Sequence, residues 1–299
     1  MAIESLLPWK WLKLDPKRTQ LARSHFDVVG KYDKWHDYSR RHLVRKVECT
    51  GSKLDTDGFQ IFRLLTSIEA LEAKQLLLRE AGAFVAKKNI NYADVLQFRS
   101  TAFFKPILDK MLNPDVDAVV SFIFGSEYYV HSLVANRTMP SKASKRSFLW
   151  HCDRGPRNFL KINMFLDATS SHGGTTEFVD LETSLEIEKM GYTFGANARR
   201  VADLAPLSRK LDRSVKVLHP QLESGEAFIF YPARALHRGY LPTHGIRHMI
   251  SIVLLPSPVH WTVAWEKTVA SGYHERTFAA FPDEAESIFG ELGLERSAL

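Results

Sequence analysis

The chain has 299 residues, 45% hydrophobic and 25% charged, the balance of a water-facing globular protein long enough to bury a full core. No apolar run approaches the roughly 20 residues needed to cross a bilayer, and the opening MAIESLLPWKWLKLD lacks the charged-then-apolar order of a signal peptide, so a cytoplasmic location is expected. Two cysteines, Cys49 and Cys152, are too few for a disulfide framework or a thiolate zinc cluster, so any metal has to rest on histidine and carboxylate.

The net charge of +6 resides in residues 1–46, where 11 Lys/Arg stand against five acids; the rest of the chain is neutral. Residues 1–54 are expected to form a basic extension whose tryptophans, Trp9, Trp11 and Trp35, either dock on the body or attract an anionic partner. A single larger domain is expected over residues 55–299. It opens with a short strand at Phe59 to Leu64, then a helix with Thr66 or Ser67 at its N-cap, Glu69 in its first turn and Gly82 at its end. A second helical segment is expected over residues 93–112, closed by Asn-Pro-Asp.

From about residue 119 to 256 the pattern changes to short runs rich in Val, Ile, Phe and Tyr: VVSFIFGSEYYVHSLVA, NFLKINMFL, TTEFV, SVKVLH, EAFIFY and RHMISIVLL. Several alternate, with Phe159, Lys161, Asn163 and Phe165 opposed to Leu160, Ile162, Met164 and Leu166. Many short strands broken by Gly, Pro, Ser and Asp predict a mainly β protein with flanking helices, built as an antiparallel sandwich or barrel. The charged segment from Asp180 to Arg213 interrupts the strands as a candidate lid or substrate-specificity loop, with a plain surface excursion as the alternative. A final helix is expected over about residues 281–295.

The stretch SFLWHCDRGPRNFLKINMFLD carries the chemistry. His151 and Asp153 are two residues apart, so on an extended backbone both side chains leave the same face. They supply two of the three ligands of a facial His/His/carboxylate site, which leaves three positions open on a ferrous ion. His237, after the strand in SGEAFIFYPARALH, is the candidate third ligand, and Arg247 follows ten residues later at the head of the last strong strand.

The order His-x-Asp, a long gap, His, then Arg resembles the iron(II)- and 2-oxoglutarate-dependent dioxygenases, and the layout is most similar to their phytanoyl-CoA dioxygenase family. TDGFQIF before a helix, WHCD before LKINMFLD, and the Gly-acid turn of SGEAFIFYPARALH carry the similarity, which spans roughly residues 55–256. The resemblance implies a double-stranded β-helix of jelly-roll or cupin type, with Fe(II) held by His151, Asp153 and His237, 2-oxoglutarate as cosubstrate and O2 as oxidant. Arg247 would pair its planar fork with the far carboxylate of the oxo acid. The oxo acid would leave as succinate and CO2, and Asp153, a small residue in halogenating relatives, points to hydroxylation or a related oxidation.

Three features depart from the family pattern. HGGTTEFVDLE stands where many members carry Pro-Gly-Ser-His, so His172 does not inherit that role; Met249 stands two residues after Arg247, where some relatives have Ser; Ser251 lies four after it. Further oxo-acid contacts are therefore sought among Lys161, Asn163, His131 and Thr176, with Trp150 as a substrate-pocket wall and Cys152 as packing. The substrate is expected to be a small molecule. No motif resembles the Asn- and Arg-rich oxo-acid site of nucleic-acid demethylases, so nucleic acid is not the expected partner. The alternatives are an oxygenase acting on a macromolecule or carrier-bound substrate through the basic extension, and a His/Asp/His zinc or cupin-type protein.

Overall fold

A computed structural model describes residues 14, 16–17, 31–43, 47, 52–81, 93–96, 98, 100–142, 144–192 and 200–268. Helix α1 (Lys31–Arg41) and the short α2 (Leu54–Asp57) lead into β1 (Phe59–Arg63), α3 (Ser67–Glu80) and β2 (Ala93–Val95). There follow α4 (Lys105–Met111), α5 (Pro114–Phe124), β3 (Glu127–Thr138), β4 (Leu160–Phe165) and β5 (Thr175–Phe178). The chain continues through α6 (Leu181–Lys189), α7 (Ala205–Leu211), β6 (Glu226–Phe230), β7 (His237–Tyr240), β8 (Arg247–Ser257) and α8 (Trp261–Thr268).

A six-stranded sheet in the order β1-β6-β4-β8-β3-β2 is antiparallel throughout, and a second sheet pairs β5 with β7. Single bridges His151↔His237 and Phe178↔Leu218 widen the second sheet on both sides. Phe59 and Phe228 of the large sheet stack and edge against Phe178 of the small one, at centroid distances of 4.3 and 5.2 Å. Two antiparallel sheets packed through such rings form the expected double-stranded β-helix.

The faces of the large sheet follow the alternation in the sequence. Leu160, Ile162 and Met164 of β4 and Ile250, Ile252 and Leu254 of β8 pack into the main core with Leu77 of α3, Leu108 of α4, Val120 of α5 and Trp265 of α8. Lys161, Asn163, Met249 and Ser251 consequently face the other way, toward the small sheet. On β3 the parity changes at a bulge between Val130 and Ser132. Tyr128 and Val130 pack in the core before it, Leu133 and Ala135 after it. The extra residue is His131, so strict period-two counting misplaces it.

Helix α3 has a full capping box: Glu69 N donates to Thr66 Oγ1 and Thr66 N to Glu69 Oε2. The expected helix over 93–112 is corrected. Residues 93–95 form a strand on Asn136–Thr138, and among the described residues of the span only a 3-10 turn at Ala102–Phe104 and α4 are helical. Asn-Pro-Asp opens a further helix, because the Asn113 side chain accepts from Asp115 N and Val116 N, and VVSFIF is its apolar second half, closed by Gly125 at φ +61°. A short apolar run does not by itself distinguish strand from buried helix; the cap decides. SVKVLH contributes only the single Phe178↔Leu218 bridge.

Part of the basic extension docks on the body. Trp35 is buried, its Nε1 donates to Pro256 O at 2.8 Å, and with Tyr32 and Tyr38 it packs on Tyr129, Phe159 and Leu255. Trp9, Trp11, Cys49 and the helix expected over 281–295 lie outside the described residues. In the segment 180–213, Ile187 of α6 and Leu207 of α7 pack with Trp150, Cys152, Val179 and Leu236. Among its described residues none lines the cavity between the sheets, and α6 and α7 buttress the His151 segment from behind; residues 193–199 lie outside the described residues.

Two polar devices fix the strands that carry the site. Gly225, at φ +86°, accepts from Leu64 N and Leu65 N, and a Cβ there would lie 2.2 Å from Leu65 O. Gly225→Ala should therefore cost about 2 kcal/mol or more, read as a lower midpoint in urea unfolding. Asp167 receives His248 N and Nδ1 on Oδ2 at 2.9 and 2.7 Å and Lys74 Nζ on Oδ1 at 2.7 Å. Burial opposes its charge, but the bonds from His248 and Lys74 outweigh it and bring its pKa down to about 2. A folded pKa below the unfolded one stabilises at pH above about 4, and that stabilisation is lost as pH falls toward about 2. Asp167→Asn should lose roughly 2 kcal/mol at neutral pH, and its stability curve should converge with that of the wild type as acid is added.

Candidate metal and oxo-acid site

The two histidines are positioned by their backbones. His151 N donates to His237 O at 2.9 Å and His237 N to His151 O at 3.0 Å, a mutual pair that sets the rings side by side with centroids 4.6 Å apart. Each Nδ1 is tied to the carbonyl two residues upstream, His151 to Leu149 O at 2.7 Å and His237 to Ala235 O at 2.9 Å. With Nδ1 as the donor in both rings, both Nε2 atoms keep a lone pair for a metal. Asp153, whose N donates to Pro232 O at 2.7 Å, brings Oδ1 to 3.3 Å from His151 Nε2 and 3.9 Å from His237 Nε2.

The donor set fits a first-row divalent ion. Bonds of about 2.1 Å at right angles separate ligand atoms by about 3 Å, and one ligand atom from each of the three residues lies within 4.8 Å of the others. The charge states fit as well. Burial, reinforced by the neighbouring His151, lowers His237 to about 3, so its imidazole is neutral at physiological pH. Burial works against the charge of Asp153, but the Lys161 ammonium beside it outweighs that and holds its carboxyl well below the ordinary value.

These three residues open on a cavity of about 390 Å3 between the sheets, also lined by Lys161, Asn163, Thr176 and Arg247. The sequence reading singled out all seven. Arg247 is 4% exposed, and its fork donates to Thr175 O at 3.0 Å, Tyr240 O at 3.2 Å and Thr138 Oγ1 at 3.3 Å. No acidic side chain among the described residues pairs with it, and its Nε has no protein acceptor. Burial brings its pKa down only to about 10, so it remains a cation. A buried, charged fork with an unused N–H is suited to pairing with an anion.

Two expected residues are not brought to the cavity. His131, displaced by the bulge, is buried with Nδ1 3.3 Å from the Tyr129 hydroxyl and lines no part of it. Trp150 is buried in the cluster beside His151, under the guanidinium of Arg238 at 4.9 Å, and lines no part of the cavity. Cys152 is buried beside it as expected. His172 lies outside the cavity; its Nδ1 accepts from Gly174 N at 2.9 Å, and burial, with Arg247 nearby, lowers it to about 4.

Several lining residues escaped the sequence reading. Ser132, Asn136 and Thr138 of β3 give the cavity a hydroxyl and amide wall, and their alternate spacing was the available signal once the bulge is allowed for. Thr138 lies directly across from Arg247 in the β3–β8 register. Ser251, opposite Asn163, donates its hydroxyl to the Asn163 amide oxygen at 2.8 Å. Phe148 closes one side against Gly239, where a Cβ would come within 2.8 Å of the ring.

No family model matches the sequence, and neither does any curated protein. Among solved structures the chain is similar to the non-heme alpha ketoglutarate dependent epimerase SnoN from nogalamycin biosynthesis, at 13% identity and TM-score 0.47 over 68% of this chain and 80% of that one. It is similar also to EctD from S. alaskensis with 2-oxoglutarate and 5-hydroxyectoine, at 17% identity and TM-score 0.47 over 71% and 81% of the two chains. The non-heme alpha ketoglutarate dependent carbocyclase SnoK from nogalamycin biosynthesis follows at 13% identity and TM-score 0.47 over 73% and 83%.

Proposed function

We propose that the protein is a non-haem iron(II)- and 2-oxoglutarate-dependent dioxygenase that hydroxylates a small molecule. The observation that carries this reading is the buried Arg247 fork, unpaired by any described acid, in the same cavity as a His/Asp/His donor set. Zinc accepts the same three donors, but a zinc hydrolase gives Arg247 no task. A ferrous ion bound there, with the oxo acid beside it, supplies the activation of dioxygen.

The residues divide the remaining work. His151 and His237 hold their lone pairs toward one point because their Nδ1 protons are committed to Leu149 O and Ala235 O. Arg247 and Thr138 form the seat for the far carboxylate of 2-oxoglutarate, with Thr138 Oγ1 turned toward the fork across the strand pair. The polar wall of Ser132, Asn136, Asn163 and Ser251 suits a substrate bearing hydrogen-bonding groups, and the confined volume favours a small one. The docked Trp35 is employed in packing, which weakens the alternative in which the extension grips a macromolecule.

Anaerobic addition of Fe(II) and then 2-oxoglutarate to the metal-free protein should produce the weak visible charge-transfer band of the chelate. His237→Ala should abolish both iron binding and the band. Arg247→Met should retain iron and weaken 2-oxoglutarate by roughly 1.5–3 kcal/mol, about 10–150-fold. Iron binding with no band at saturating oxo acid would remove the dioxygenase reading and favour a different cupin-type function.

A further inference from the structure

The carboxylate of Asp153 is held from two sides. Oδ1 faces the two imidazole Nε2 atoms, and Oδ2 lies 2.9 Å from Nζ of Lys161. The two residues differ in how firmly their backbones are set. Asp153 sits in a loop, fixed by its backbone bond to Pro232 O, whereas Lys161 stands within β4, paired with Phe230 of β6 on one side and Val253 of β8 on the other. The ammonium is therefore presented by an interior strand of the large sheet.

A free carboxylate offers a metal one oxygen or both. Here the two oxygens are made inequivalent by the fold itself, one turned to the histidines and the other taken by a cation. That arrangement has an electrostatic cost, because an ammonium beside a divalent ion repels it. The cation's place is thus not explained by metal affinity through charge. It is explained by order: a side chain with two free torsions is pinned with one oxygen forward.

We propose that Lys161 is a positioning residue that fixes Asp153 as a one-oxygen metal ligand, leaving the adjoining coordination position for the two-oxygen chelate of a 2-oxo acid. This role rests on the metal centre proposed above and replaces the expectation that Lys161 contacts the oxo acid. Asn163, two residues along the same strand, is engaged by the Ser251 hydroxyl and faces the cavity without touching Asp153 through any hydrogen bond among the described residues.

The test uses Co(II) as a visible probe of the full-length, metal-free protein, with Lys161→Met and Lys161→Gln compared with the wild type and melting curves run on each. Lys161→Met should bind Co(II) about 10–100-fold more weakly, with a d–d band altered in position and intensity and a smaller change on adding 2-oxoglutarate. Lys161→Gln, which keeps an N–H donor without the charge, should recover most of the wild-type band. An unchanged or tighter Co(II) affinity with an unchanged band in Lys161→Met overturns the proposal. If that variant does not fold, Lys161→Ala, which leaves room for water beside Asp153, is read by the same criteria. Wild-type Co(II) binding that survives His237→Ala overturns the metal centre and this role together; binding lost in His237→Ala but indifferent to Lys161→Met overturns only the role of Lys161.

Discussion

The site depends on one reciprocal backbone pair, His151 N to His237 O and His237 N to His151 O. These residues are far apart in sequence, and neither lies within a regular strand pairing with the other. Because both groups of each residue are exchanged, the two Cα atoms are locked in register and the rings emerge on the same side. The bonds from Nδ1 to Leu149 O and Ala235 O then settle ring orientation and tautomer. The buttress of α6 and α7 on Trp150 and Cys152 becomes intelligible from this pair, since it supports the segment carrying His151 from behind.

The second constraint is the two-sidedness of β4 and β8. Their apolar residues close the helical side of the large sheet, which obliges the intervening residues to face the small sheet. Polar and charged side chains there are tolerable only if each is satisfied. Lys161 meets Asp153 and Ser251 meets Asn163, whereas Arg247 exhausts carbonyls and a hydroxyl and still keeps an unused N–H. The imbalance at Arg247 is the chemical signature of the cavity. A fold optimised for stability alone would place an acid against that fork or an apolar residue in its stead.

What could be read from the sequence was local. The alternation through LKINMF, the capping signals at Thr66 and the Gly-acid turn at Gly225 depend on neighbouring residues, and each corresponds to an observed element. His-x-Asp was legible because two residues of extended chain share a face whatever the rest does. The helix expected at 93–112 and the strand expected in VVSFIF were misread because a short apolar run has no decisive period, and Asn113 with Pro114 set the boundary. His131 and Trp150 were misplaced for another reason: a bulge changes the parity of every residue beyond it, and burial in a cluster that lines no part of the cavity is a fact of packing.

The sequence by itself determined the supply of groups: two histidines, one carboxylate, one arginine at the head of a strand, and alternating strands to carry them. Only the tertiary structure decided which groups meet. It brought His237 against His151, paired Lys161 with Asp153, and set Thr138 across from Arg247. Strand periodicity is written in adjacent residues, whereas register between strands distant in the chain is fixed by backbone pairing and by the packing of both sheet faces at once.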